Sequence, residues 1–217
     1  MNVLDIGANI GQYTFDFARA VAPGLVVAVE PTPKVAKELI NATKDTENIR
    51  VHQIAFGDTC SIERVFNYGD WTLLKVDHAD PRYQDKRWVH PSQRNDLKGE
   101  FITRFTTLDL FAGEASYDFV KIDVDGYEYR VVKGGMVWLK QHQPVIRIEV
   151  GQAGMRELGD SPKALLDLLR DLDYVFYSDT THVTISDADI LEAITREVGV
   201  RQLNTVDILC LPRQSQS

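Results

Sequence analysis

The chain has 217 residues, 44% of them hydrophobic, with 32 acidic against 24 basic side chains and a net charge of −8. That length supports one substantial core and is read as a single domain over 1–217. The acid surplus argues against a nucleic-acid groove, which needs clustered Lys and Arg to release counterions. No apolar run reaches the roughly 18 residues of a membrane span, and the start Met1-Asn2-Val3-Leu4-Asp5 lacks a basic leader region, so a cytoplasmic protein is expected.

Val3 to Ile6 is a continuous apolar run interrupted only by Asp5, and it reads as a buried strand. It runs into Gly7-Ala8-Asn9-Ile10-Gly11, after which Thr14, Phe17, Ala18 and Val21 fall at helical spacing until Pro23-Gly24 stops them. Leu25 to Val29 is a second strand ending at Glu30-Pro31, followed by a helix through Ala36, Leu39 and Ile40 that ends near Asn41. Ile49 to Phe56 reads as the third strand, ending in Gly57-Asp58. Parallel strands covered on both faces are apolar throughout, as these are.

Glycines at 7 and 11 alone would make only a tight strand-to-helix turn, which many α/β proteins share. The combination with Glu30 says more. Small residues at Gly7, Ala8 and Asn9 leave backbone N–H groups open to a ligand, and a carboxylate at the tip of the next strand can take both hydroxyls of a ribose. The run is not GxGxxG, and Asp5 would repel a pyrophosphate. A nucleoside ligand with a positive centre, S-adenosylmethionine (SAM), fits better.

Residues 61–108 break the rhythm: Ile62 to Tyr68 and Phe101 to Leu108 read as strands, forming an antiparallel excursion expected to cap the cleft as a lid. Between them Trp71, Tyr83, Trp88, His78 and His90 lie among alternating charges. Such aromatics suit stacking on a sugar ring, although most loop aromatics simply pack back on the protein. His90, beside Pro91, is the better candidate for a catalytic imidazole.

The alternation resumes with Phe119 to Val124, a short helix from Glu128 to Val132, a break at Gly134-Gly135 and a strand from Val145 to Val150. Ser161-Pro162 supplies a helix start with Leu165, Leu168, Leu169 and Leu172 on one face. Tyr174 to Tyr177 is a sixth strand, Ser186 with Asp189 opens a last helix, and Val206 to Leu211 is the seventh strand. Cys60 and Cys210, each in an apolar strand-like setting, are expected as reduced core residues. The expected fold is α/β: a seven-stranded, doubly wound Rossmann-like sheet of the class I SAM-dependent methyltransferase type, parallel except for an antiparallel last strand. Ligands bind such sheets at the carboxyl ends of the strands near the switch point, here strands 1 and 4.

Strand 4 runs into Asp123-Val124-Asp125-Gly126-Tyr127-Glu128, with three carboxylates in six positions. A core strand tolerates such charges only at its exposed end, so Asp123, Asp125 and Glu128 are expected to border the cleft. Asp125-Gly126 is also ordinary turn chemistry, and Glu128 an ordinary first-turn acid.

Taken together, Asp5 to Gly11, Glu30-Pro31, Ala55-Phe56-Gly57-Asp58 and Lys121 to Glu128, followed by Ile146-Arg147-Ile148-Glu149, resemble the FkbM family of SAM-dependent O-methyltransferases. The resemblance implies that Asp5, Gly7 and Asn9 hold the methionine end of SAM, Glu30 the ribose, Asp58 the adenine amino group, and Asp123 the region beside the methyl group, with Ala8 and Pro31 also expected at the cofactor. It departs from the family at Asp125, where Glu is usual. The sequence also begins at strand 1, without the helix that commonly precedes it in the family, so either a partner or the 69–100 segment is expected to cover the cofactor, or the site to be more open.

The function so implied is methyl transfer to a hydroxyl of a saccharide, polyketide or related small molecule, releasing S-adenosylhomocysteine. Asp123, Glu128 and His90 are the candidates to touch the reacting groups or take the hydroxyl proton, with Glu149 converging on the same edge. Two of these carboxylates can hold a divalent metal, but balancing the sulfonium needs none, and no metal site is assigned. A nicotinamide-dependent oxidoreductase would also use Glu30, but lacks its phosphate loop here. A non-catalytic SAM-fold interaction module is the third reading.

Overall fold

The structure, a computed structural model, describes residues 1–68, 71–74, 97–195 and 205–213. The chain opens on β1 (Val3–Ile6), α1 (Gln12–Val21), β2 (Val26–Val29), α2 (Pro33–Thr43) and β3 (Ile49–His52), the three strands parallel. All four residues of β1 and of β2 are buried, as strands covered on two faces must be.

The chain then leaves this sheet. β4 (Ala55–Phe56), β5 (Ser61–Tyr68), β6 (Trp71–Leu74) and β7 (Leu97–Thr106) make a separate sheet in the order β4-β7-β5-β6, in which β5 is antiparallel to both neighbours. Strand 3, expected to run unbroken to Phe56, is therefore two strands. Ala55 and Phe56 pair with Phe105 and Thr106 rather than continuing beside β2. His78, Tyr83, Trp88 and His90, and the lid assigned to them, lie outside the described residues.

After α3 (Leu108–Ala112) come β8 (Phe119–Ile122), α4 (Glu128–Lys133), α5 (Met136–His142), β9 (Val145–Gly151), α6 (Ala153–Leu158), α7 (Pro162–Asp171), β10 (Tyr174–Ser178), α8 (Asp187–Thr195) and β11 (Thr205–Pro212). The main sheet has seven strands in the order β10-β11-β9-β8-β1-β2-β3, with β11 antiparallel to β9 and β10. β1 and β8 are direct neighbours, as the switch point requires.

Local signals explain the helix starts. Ser161 Oγ accepts from Ala164 N ahead of Pro162, and Ser186 and Asp189 exchange hydrogen bonds as a capping box does. α3 starts in the same way at Thr107, whose Oγ1 accepts from Leu110 N, whereas α5 and α6 have no side-chain cap. Gly134-Gly135 is the break between α4 and α5, and it is also a close approach: a Cβ on Gly134 would meet Gly57 O at 2.1 Å, and one on Gly135 would meet Leu108 at 2.6 Å. Cys210 is buried as expected, whereas Cys60 sits on the surface at the end of the β4 turn.

Alternation along the strands sorts the core. Leu4, Ile6, Val120, Ile122, Ile146 and Ile148 share one face and one apolar cluster, which Leu139, Leu165 and Ile190 extend from the helices. Val3 belongs to the opposite face, packed on Ala18 and Val21 of α1. Asp5, Lys121 and Arg147 fall in register on that second face, one per strand of β1, β8 and β9.

Candidate functional site

At the carboxyl end of β1 the chain turns so sharply that Gly7 takes φ 82°, and a Cβ there would meet Asp123 O at 1.8 Å. Only glycine permits that approach, which brings the loop after β1 against the loop after β8. Gly7 N and Ala8 N both donate to Val29 O, tying the turn to β2. Gly11, at φ 91°, caps α1, and a side chain there would strike Leu39 at 2.4 Å.

Glu30 follows β2. Its Oε2 accepts from Asn9 N at 3.0 Å and its Oε1 from Thr32 N at 2.8 Å, and the Thr32 side chain bonds the carboxylate as well, so both oxygens are fixed. Burial pushes its carboxyl above the usual range, and the backbone donors pull the other way. Asn9 takes a left-handed conformation, φ 49°, to present its N–H.

A cleft of about 570 Å³ runs past these groups, within the size range of small-molecule sites. Gly7, Ala8, Asn9, Glu30 and Pro31 line one stretch, and Ile54, Phe56 and Phe105 supply apolar wall beyond them. Lys121, Asp123 and Asp125 line the opposite end, with Tyr13 and Ile10 at the rim.

The β8 end is held from beneath. Glu128 Oε1 accepts from Val124 N (3.0 Å) and Gly126 N (3.2 Å), stapling the loop that carries Asp123 and Asp125. Its side chain is 1% exposed, and burial lifts its carboxyl to about 8. Glu128, expected at the cleft, is therefore an anchor below the loop: two backbone donors draw the carboxyl inward, away from the ligand space. Asp125, expected both at the cleft and in a turn, takes the left-handed turn at φ 53° and borders the cleft.

Asp123 is about one-third exposed and pairs with Lys121 Nζ at 3.1 Å. Lys121 is 2% exposed and also lies 3.7 Å from Asp5, which is fully buried and bonded by Thr14 Oγ1 at 2.6 Å. Asp5 thus stands behind the cleft wall rather than in it. Asp58 pairs with Lys133 at 2.8 Å and likewise is not part of the lining. His90 lies outside the described residues.

Next to Asp123, Glu149 has a carboxyl raised to about 7, first by burial and then by the charges of Asp123, Asp207 and Asp125, against a hydrogen bond from Thr205. Arg147 binds Asp207 at 2.8 Å and Asp179 at 3.2 Å, donates to Tyr13 OH at 3.3 Å, and covers that ring at 4.8 Å. Lys121 approaches the same ring at 5.1 Å. Among the described residues no group of three or more His, Cys, Asp or Glu is arranged to hold a metal ion.

Sequence reasoning passed over Lys121, Arg147 and Tyr13. A signal was present: Val-Leu-Asp-Ile, Phe-Val-Lys-Ile and Val-Ile-Arg-Ile each carry one charge in an apolar strand at the residue before the last isoleucine. Aligning those strands in parallel puts the charges in one row.

Residues 5–176 match the family model described as the methyltransferase FkbM domain. Over 152 residues the chain is 32% identical to 31-O-demethyl-FK506 methyltransferase FkbM of Streptomyces tacrolimicus, covering 61% of this chain and 58% of that protein. Its fold is similar to the crystal structure of methyltransferase FkbM from Methylobacillus flagellatus KT, with a TM-score of 0.54 and 15% identity, over 97% of this chain and 43% of that one. The chain therefore spans about half the length of these relatives.

Proposed function

The chain belongs to the FkbM methyltransferase family, and from that premise we propose that its cleft binds SAM and serves methyl transfer to a hydroxyl of a small-molecule acceptor. The single observation that carries the cofactor reading is Glu30, a carboxylate lining the cleft with both oxygens pinned by backbone donors. Pinned in this way, it can take a vicinal diol without reorganising. The apolar wall at Ile54, Phe56 and Phe105 suits an adenine ring, and the acid end at Asp123 and Asp125 suits a cationic one.

When bound, SAM supplies an electrophilic methyl group. The protein's part is to align an acceptor oxygen with it, exclude water and receive a proton. Asp123 is proposed to face the methyl-bearing end, and Glu149, with a carboxyl that titrates near neutrality, stands beside it. The relative is named a methyltransferase of 31-O-demethyl-FK506, and a hydroxyl on a polyketide, saccharide or related molecule is the acceptor class proposed here. An anionic acceptor is disfavoured, because Lys121 and Arg147 are already paired with carboxylates.

Calorimetry with SAM, S-adenosylhomocysteine and NAD tests the reading. The expected result is saturable binding of the first two and none of NAD. Glu30→Ala is expected to weaken SAM by about 1–3 kcal/mol, the cost of leaving ribose hydroxyls without a charged partner. Unchanged affinity in that variant removes Glu30 from the site, and binding of NAD in preference to SAM replaces the reading by the oxidoreductase one.

A further inference from the structure

Three strands deliver a row of charge to the face against α1. Asp5 of β1, Lys121 of β8 and Arg147 of β9 are in register, each flanked above and below by apolar residues. Arg147 is compensated from outside the row by Asp207 and Asp179. Lys121 is left to Asp5 and Asp123, at 3.7 and 3.1 Å, with its third donor toward Gly7 O at 3.5 Å. Those contacts reach β1, the loop after β1 and the loop after β8. Asp5 Oδ1 is sealed from solvent and has no hydrogen bond, so Lys121 is the positive charge that faces it.

Resting on the SAM reading above, we propose that Lys121 is a positioning residue for the cofactor. Its ammonium, trapped between Asp5 and Asp123, locks the loops after β1 and β8 together at the methyl-bearing end of the cleft. The three groups sum to one negative charge facing the place where a cation binds. That balance rests on Asp5 remaining a carboxylate. Burial acts to protonate it, Asp123 and Glu30 add to that pressure, and Lys121 with the Thr14 hydroxyl oppose it. On the far side of Lys121 stand Tyr13, Arg147 and Asp207.

An opposite charge at this distance commonly lowers a carboxylate's pKa by about 1–3 units, and its removal returns that shift. SAM affinity is measured by calorimetry from pH 5 to 8 for the wild type, Lys121→Met, Lys121→Arg and the double variant Asp5→Asn/Lys121→Met. In Lys121→Met the acid fall-off in affinity is expected to move up by about 1–3 pH units, so that the loss is at least tenfold near pH 6 and shrinks toward pH 8. Lys121→Arg is expected to keep the wild-type profile. The double variant, with neither Asp5 nor Lys121 left to ionise, is expected to bind weakly and without the displaced acid fall-off that Lys121→Met shows.

Melting temperature against pH, without ligand, reads the same coupling. A carboxyl raised in the folded state stabilises fully below its unfolded pKa and loses that contribution as pH rises through the folded value. The deficit of Lys121→Met against the wild type is therefore expected to be smallest in acid and to grow toward neutrality. A deficit in affinity and in melting temperature that is the same at every pH, or a pH-dependent loss that persists in the double variant, overturns the proposal. Should the wild type bind no SAM, the functional reading fails, while the melting profiles still decide whether Lys121 holds Asp5.

Discussion

A single glutamate shows how burial changes a residue's job. Glu128 resembles a general acid by its place after strand 4, yet it is sealed under the loop it caps and its Oε2 has no hydrogen-bond partner. Its folded pKa of about 8 lies above the ordinary 4.5. It therefore stabilises fully below about pH 4.5 and loses that contribution as pH climbs to about 8, at up to roughly 1.4 kcal/mol per unit crossed. Glu128→Gln keeps an acceptor for Val124 N and Gly126 N but cannot ionise. The variant's stability relative to wild type should therefore rise between pH 5 and 8, which denaturant titrations at several pH values will read. A parallel pair of pH profiles would show that the carboxyl is already ionised above pH 5 in the folded chain, its pKa not raised by burial.

At the scale of elements, glycines set the distances between loops and helices that form the cleft. Gly126, at φ 104°, passes so close to the start of α6 that a Cβ on it would meet Gly154 at 2.4 Å, and one on Gly154 would meet Asp125 O at 2.4 Å. The pair lets α6 press on the turn carrying Asp125. Gly154→Ala is expected to cost about 1–3 kcal/mol by overpacking and to weaken SAM by displacing that turn. Gly99 on β7 has open space around its Cβ position, and Gly99→Ala is expected to stay within about 0.5 kcal/mol. Equal effects of the two alanines on stability and binding would deny the close crossing its role. The same logic applies at Gly134-Gly135, which ends α4 and also lies where two neighbours approach closely; the chain turns straight into α5 rather than into a loop.

For the whole molecule, the cleft joins the ends of β1, β2 and β8 with Phe56 and Phe105 of the smaller sheet. A ligand seated there touches both sheets and so is linked to global unfolding. Saturating SAM at about 100 times its dissociation constant should stabilise the fold by about 2.7 kcal/mol, or roughly 5–10 °C in melting temperature for a domain of this size. Differential scanning calorimetry with and without SAM checks it, and a melting temperature unmoved at saturation would count against a ligand bound to the native state. No described helix is long and apolar enough to cross a membrane.

The sequence by itself determined which segments form the strands of the main sheet, the antiparallel last one included, and put Gly7, Asn9, Glu30 and Asp123 at or just past their carboxyl ends. These follow from local chemistry: apolar runs of strand length, a glycine where a turn needs positive φ, and a carboxylate at a strand's exposed end. Only the tertiary structure decided which of the charged residues line the cleft. Asp5 and Glu128 differ little in sequence context from Asp123, but alternation turns Asp5 toward α1 and two backbone N–H groups draw Glu128 under its loop. Lys121 and Arg147 acquire their meaning from strand register, which joins residues 5, 121 and 147 across more than a hundred positions of chain. The break between β3 and β4 belongs to the same class, because Ala55 and Phe56 pair with residues some 50 positions away and not with the strand they seemed to extend. Long-range pairing chooses among partners that are equally apolar in sequence, and only the packed sheet selects one.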